Sequence, residues 1–78
     1  DALIHEASAT ADDEASLNAA GHSSGRQAGQ AARRSGARRL FLCHFDRKLA
    51  TAQAVAEEAA AAYSGAPIVP VPFTAYEI

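Results

Sequence analysis

The sequence has little material for a large hydrophobic core. Among its 78 residues there is no methionine or tryptophan, and a single cysteine, Cys43, excludes an internal disulfide. Only 14 residues are Leu, Ile, Val or Phe, whereas 21 are alanine. A chain of this length removes only about 60–65% of its unfolded surface from water. We therefore expect a bound ion or additional protein to support the fold.

Membrane and export signals are also absent from the sequence. No apolar run approaches the ~18 residues of a membrane span, and no charged leader precedes an apolar segment. The sequence thus predicts a soluble protein without membrane contact, and one reduced cysteine fits the cytoplasm. Because the chain opens at Asp1 and lacks methionine, we expect it to be one unit, residues 1–78, of a longer or processed protein.

Charge is balanced overall but unevenly distributed. Seven basic and nine acidic residues give a net charge of −2, which excludes a polybasic nucleic-acid-binding arm. No acidic residue lies between Glu14 and Asp46, although five of the seven basic residues do. Two interpretations stay open for the arginines of residues 26–39. They form a solvated helix face that complements the helix dipole, or they contact phosphate groups.

The first half of the chain predicts a strand, a loop and a helix. The apolar run 2–5 is typical of a buried strand, and the small, polar and acidic stretch 8–21 predicts a surface loop with one helical turn. A capping box at Ser24 and Gln27 then begins a helix over 24–35, in which small residues form one face.

The second half predicts a strand, a helix and an edge strand. Residues 40–43 form a continuous apolar run, which favours a strand covered on both faces. Asp46 is expected to cap a helix with apolar positions from 49 to 63, ended by Gly65. Two prolines confine the strand predicted over 68–73 to a sheet edge, and 75–78 add a last short strand. The resulting order β, loop, α, β, α, β implies parallel strands with right-handed crossovers.

Chemically active side chains follow the predicted strands. In open parallel sheets, ligands bind beyond the carboxyl ends of the strands. His5 and Glu6 follow the first strand, His44 follows the second, and His22 lies in the loop before the first helix. Each histidine alone is more often a capping or surface residue. Their joint placement favours a site in which all three histidines and Glu6 meet at one rim.

Three segments resemble a known family. Residues 3–8 read LIHEAS, residues 21–24 read GHSS with Gln27-Ala28 after them, and residues 39–45 read RLFLCHF. In this order they resemble the LIHEAT, GHST-xx-QA and RL-x-L-x-HF segments of ribonuclease Z, the tRNA 3′-processing endonuclease of the metallo-β-lactamase superfamily. The resemblance covers about residues 1–47. It implies that the chain is the βαβαβ C-terminal part of an αββα sandwich, incomplete without its N-terminal half.

The resemblance also implies roles for individual residues. His44 corresponds to the last metal-ligand histidine, and a neutral imidazole suits zinc. His22 corresponds to the histidine that protonates the leaving 3′ oxygen, and Glu6 to the carboxylate that pairs with it. A carboxylate beside an imidazole fixes its tautomer, as a general acid requires. No role is implied for His5, for which a structural hydrogen bond is an equal interpretation.

For the complete protein, the resemblance implies hydrolysis of a tRNA precursor with two zinc ions in a homodimer. The family's HxHxDH motif, a further histidine and a bridging aspartate would lie upstream of Asp1, as would the substrate-binding arm. This chain would supply only one zinc ligand, His44. We therefore expect the isolated chain to be inactive, because a catalytic zinc ion needs about three protein ligands.

The sequence departs from the family at several positions and leaves alternatives open. Ser8 and Ser24 replace threonine but keep the hydroxyl, whereas residues 46–48, DRK, depart from the family's HFS-x-RY pattern. A related metallo-β-lactamase-fold phosphodiesterase would act on cyclic nucleotides or small phosphodiesters. A non-catalytic βαβαβ module would instead dock its alanine-rich helices on a partner, keep structural histidines and require no metal.

Overall fold

The computed structural model describes residues 1–70, which form a small α/β fold with two parallel strands and three helices. In chain order the elements are β1 (Ala2–Glu6), a 3₁₀ turn (Ala11–Asp13), α1 (Glu14–Ala19), α2 (Gly25–Ser35), β2 (Arg39–Cys43) and α3 (Ala52–Tyr63). The predicted strand–helix–strand–helix order is thus confirmed. The loop predicted over 8–21 contains more helix than the single turn expected.

The two strands pair in parallel, with Leu3 opposite Leu40. Ile68 extends this sheet beyond β2, because its N–H donates to Leu40 O (2.7 Å) and its carbonyl accepts from Leu42 N (2.9 Å). Only this one bridge of the edge strand predicted over 68–73 falls within residues 1–70. Residues 69 and 70 form no further bridge, whereas residues 71–73 of that prediction and the short strand predicted over 75–78 lie outside the described residues.

The two faces of the sheet have different environments. Side chains alternate between the faces of a strand, so Leu3, Leu40 and Leu42 share one face. These three contribute to a core that also includes buried residues of the helices, namely Ala28, Ala32, Val55 and Ala59. On the opposite face, Ile4 of the first strand is 64% exposed.

Small residues allow α2 and α3 to approach each other closely. A Cβ added at Gly25 would lie 2.5 Å from Val55 O, and one added at Gly29 would overlap the carbonyl oxygen of Ala59. Larger side chains at these positions would force the helices apart. The alanine-rich faces of the two helices therefore contact each other within this chain.

The ends of α2 match the sequence prediction closely. Ser24 Oγ accepts from Gln27 N (3.1 Å), and Gln27 Oε1 accepts from Ser24 N (3.0 Å), which completes the predicted capping box. Gly36 ends the helix in the left-handed conformation, with φ 69°. These local interactions start and stop the helix that precedes β2.

The predicted ends of α3 are wrong. Asp46 does not cap the helix, because its Oδ1 accepts from Lys48 N (3.0 Å) in a separate turn. The helix begins instead after Thr51, whose hydroxyl accepts from Ala54 N (3.1 Å). At the other end, Ser64 rather than Gly65 adopts the left-handed conformation, with φ 66°. No helix within the described part of the chain has the length and apolar character needed to cross a membrane.

Candidate functional site

Glu6 lies between two histidines at the carboxyl edge of the sheet. Its Oε2 is 3.0 Å from Nδ1 of His22 and 3.9 Å from Nδ1 of His44. Glu6 ends β1, and His44 directly follows β2, so the parallel pairing brings both to the same edge. The carboxylate is partly buried, whereas both imidazoles are accessible to a ligand.

Backbone hydrogen bonds hold His22 beside the end of β1. The chain leaves α1 through Gly21, whose φ of 84° suits glycine, and His22 N then donates to Leu17 O (2.8 Å). One residue later, the carbonyl of Ser23 accepts from Ser8 N (2.9 Å). This contact joins the loop to the segment after β1 and explains how residues 16 positions apart form a hydrogen bond.

His44 adopts a left-handed backbone conformation, with φ 60°. For a residue other than glycine this conformation costs about 1–2 kcal/mol. Hydrogen bonds on both sides hold the backbone there: Cys43 O accepts from Ala7 N (2.9 Å), and Asp46 N donates to Ser8 O (2.7 Å). The turn of the chain at His44 is therefore fixed by the segment that follows Glu6.

The local hydrogen bonds favour an ionised Glu6. Partial burial raises the pKa of the carboxyl group, but the hydrogen bonds from His22 and the Ser23 backbone, together with the nearby charge of His44, outweigh it. The pKa of Glu6 is therefore lowered from its ordinary value. An ionised carboxylate accepts the Nδ1–H of an imidazole and so fixes the orientation of the ring.

The prediction that His5 joins the cluster of Glu6, His22 and His44 is wrong. Nδ1 of His5 lies 2.7 Å from the carbonyl oxygen of Glu6 and donates to it, as expected for a structural histidine. No group of three or more His, Cys, Asp or Glu side chains within residues 1–70 is arranged to hold a metal ion. The described residues therefore do not fit a complete zinc site, although the accessible His44 imidazole is a suitable single ligand.

A shallow pocket of about 580 Å³ adjoins the two histidines. His22 and His44 line it together with Phe45, Arg47 and Lys48. The two basic side chains were missed as site candidates from the sequence. A sequence signal for them exists in the DRK run of residues 46–48, which directly follows the third family segment. Their two positive charges exceed the one negative charge of Asp46, which also lines the pocket, and suit an anionic ligand.

Comparison with known proteins agrees with these segments. The chain is 39% identical over 71 residues to ribonuclease Z of Halorubrum lacusprofundi, and 35% identical over 63 residues to ribonuclease Z of Thermoplasma volcanium. These matches cover 90% and 81% of the chain. The chain is similar to ribonuclease Z. The resemblance predicted from the three segments is thereby confirmed.

The chain spans only 23% and 21% of the length of these two ribonuclease Z proteins. No protein-family profile matches the chain. No solved structure matches it either. Within this part of a ribonuclease Z-like sequence, the three residues that carry the family resemblance at the site, Glu6, His22 and His44, lie next to one another.

Two carboxylates outside the cluster, those of Glu14 and Glu58, bind the N-terminal end of α2. The sequence did not indicate either of them. Both oxygens of Glu58 accept from Ala11 N (2.9 Å each), and one also accepts from Arg26 N (2.9 Å). Glu14 accepts from Ser24 Oγ (2.6 Å) and pairs with the Arg26 side chain. Hydrogen bonds from Ser24 and Arg26 lower the pKa of Glu14. Both carboxylates thus join the N-terminus of α2 to distant parts of the chain.

Proposed function

We propose that this chain is the C-terminal part of a ribonuclease Z-like, metal-dependent phosphodiesterase. The complete protein would remove 3′ trailers from tRNA precursors by endonucleolytic cleavage. The observation that carries the proposal is the 3.0 Å contact between Glu6 and His22 in two of the family's segments, beside His44 in the third. Similarity to ribonuclease Z over 90% of the chain supports the same assignment.

In the proposed reaction, His22 acts as the general acid. Its Nδ1 is engaged by Glu6, so Nε2 is the nitrogen that would donate a proton to the leaving 3′ oxygen. The ionised carboxylate fixes the orientation of the ring and stabilises the imidazolium before transfer. Arg47 and Lys48, which line the same pocket, would attract the charged substrate.

The remaining parts of the site would come from the rest of the protein. His44 would be the one ligand that this chain supplies to a two-zinc site, and bound zinc would activate water for attack on phosphorus. The N-terminal half of the same domain would cover the sheet face that exposes Ile4. The proposal includes a homodimer in the cytoplasm, and it requires an HxHxDH motif upstream of Asp1.

The test uses the full-length protein and a tRNA precursor with a 3′ trailer. We expect cleavage at the 3′ end that chelation abolishes and zinc restores. His44→Ala should lower the bound metal measured by elemental analysis, whereas His22→Ala should slow cleavage with metal content intact. The matched control is His5→Ala, which should change neither. Equal metal loss in the His22 and His44 variants would contradict the division of roles.

The same assays separate the alternatives. Faster turnover of cyclic nucleotides or small phosphodiesters than of tRNA precursor, with the same dependence on His22, would assign the protein to a sister group of hydrolases. A parent protein without an HxHxDH motif and without metal dependence would favour the partner-binding module.

A further inference from the structure

A groove between α2 and α3 is lined by arginine side chains. It has a volume of about 480 Å³, and its lining residues are Arg26, Gln30, Arg33, Arg34, Ala61 and Ala62. We call it the arginine groove. All three arginines are exposed. The groove lies on the helical side of the sheet, opposite the face on which Ile4 is exposed.

The arginine groove has an unbalanced positive charge. No aspartate or glutamate of residues 1–70 lines it. Within the same residues, Arg26 pairs with Glu14, but Arg33 and Arg34 make no ion pair. The wall formed by α3 consists here of alanines, because the acidic residues of that helix, Glu57 and Glu58, lie a turn earlier. The two cations are therefore available to an external anion.

The positive charge extends along and beyond α2. A second hollow adjoins the arginine groove. Arg33 lines both hollows, and Arg38 lines only the second. The helix dipole accounts for Arg33 and Arg34, which lie in the last turn of α2. Arg26 in the first turn instead pairs with Glu14, whereas neither the dipole nor an ion pair within residues 1–70 accounts for Arg38 after the helix. A row of cations, rather than a helix cap, describes the whole set.

The row begins near the candidate site and leads away from it. Arg26 is four residues after His22, and Arg33 lies seven residues further along α2, or about 10 Å at 1.5 Å per residue. An extended row of this kind is too long for a single phosphate. It suits a linear polyanion with regularly spaced charges.

We propose that the arginine groove binds the sugar–phosphate backbone of an RNA strand without reading its bases. The identity of the polyanion rests on the proposed function, whereas the presence of an anion-binding surface rests on the groove itself. Guanidinium groups bind phosphate oxygens in bidentate fashion, which fits a row of arginines without lysine. RNA engaged at the candidate site would continue across the outer face of the helices.

The experiment measures equilibrium binding of a tRNA precursor to the full-length protein over a range of salt concentrations. Replacing both unpaired cations, as Arg33→Gln/Arg34→Gln, should weaken binding about 10-fold at low salt and reduce the slope of log K against log salt by about 1–2. Lysine at both positions should keep most of the slope. This lysine variant is the matched control, because it keeps both positive charges at the same exposed positions.

Several outcomes decide the proposal. Unchanged affinity and salt slope in the glutamine variant, or an equal loss in the lysine control, would overturn it. Stronger displacement of the RNA by polyglutamate than by unrelated RNA of equal charge would assign the groove to an acidic protein and also overturn it. Groove-dependent RNA binding by a protein that fails to cleave tRNA precursor would refute the proposed function but support the groove. Cleavage and RNA binding that are unchanged when Arg33 and Arg34 are replaced would support the proposed function but refute the groove.

Discussion

One oxygen of Glu6 contacts the imidazoles of both His22 and His44, at Nδ1 distances of 3.0 and 3.9 Å. The carboxylate therefore lies between the proposed general acid and the proposed metal ligand. Its lowered pKa keeps it ionised as pH falls into the acidic range. The charge of Glu6 is consequently present beside both imidazoles.

Replacing the charge of Glu6 should slow RNA cleavage. Glu6→Gln keeps a hydrogen-bond acceptor for His22 but loses the charge that stabilises the imidazolium, so we expect kcat to fall by about 10- to 100-fold. Single-turnover cleavage of a tRNA precursor by the full-length protein measures this effect. Asp12→Asn is the control, because Asp12 is an exposed carboxylate outside the cluster of Glu6, His22 and His44. Wild-type kcat in the Glu6 variant would contradict the assigned role.

The close approach of α2 and α3 predicts that Gly29→Ala destabilises the protein. Helix propensity alone would favour alanine by about 0.5–1 kcal/mol. Overlap with the carbonyl of Ala59 should reverse this and lower the free energy of unfolding by about 1–3 kcal/mol. Urea unfolding of the full-length protein tests it, with Gln30→Ala as the control at the neighbouring position. A more stable Gly29 variant would show that the helices separate easily.

Glu58 should protect two backbone amides from solvent exchange. Its carboxylate accepts from Ala11 N and Arg26 N, and each contact is worth about 1.5 kcal/mol when the acceptor is charged. Glu58→Ala should therefore speed hydrogen exchange at both amides by about 5- to 30-fold. Glu57→Ala is the matched control on the same helix, since within residues 1–70 the Glu57 side chain hydrogen-bonds only to Gln53. Equal protection in both variants would disprove the bridging role.

The Glu14 carboxylate should make stability depend on pH in the acidic range. Its folded-state pKa is lowered by hydrogen bonds from Ser24 and Arg26, so the ionised form stabilises the fold above the unfolded-state pKa. This contribution is lost as pH falls through the lowered folded-state pKa. The difference in melting temperature between wild type and Glu14→Gln should therefore be present at neutral pH and vanish in acid. A difference that grows with acidity would have the wrong sign.

Local signals in the sequence predicted much of the fold. The capping box at Ser24 and Gln27 and the apolar run that became β2 involve residues close together in the chain. The predicted start of α3 was wrong because Asp46 and Thr51 are both suitable caps. Only the turn at Asp46, which the tertiary structure fixes, decides between them. Sequence patterns do not rank two neighbouring caps of similar strength.

The candidate site was predicted through family segments and strand order, and long-range contacts account for the differences. Glu6 and His22 meet as expected, whereas His5 instead donates to the adjacent carbonyl. The contact between Glu58 and Ala11 joins residues 47 positions apart, and no local pattern predicts it. The arginine groove likewise depends on which face of α2 borders α3.

The most direct test of the central claim compares two leaving groups in the full-length protein. A 3′ oxygen of RNA needs a proton as it leaves, whereas p-nitrophenolate does not. His22→Ala should therefore slow cleavage of a tRNA precursor by about 100-fold or more, yet slow hydrolysis of bis(p-nitrophenyl) phosphate only slightly. Equal losses on both substrates, or none on the tRNA precursor, would contradict general-acid catalysis by His22.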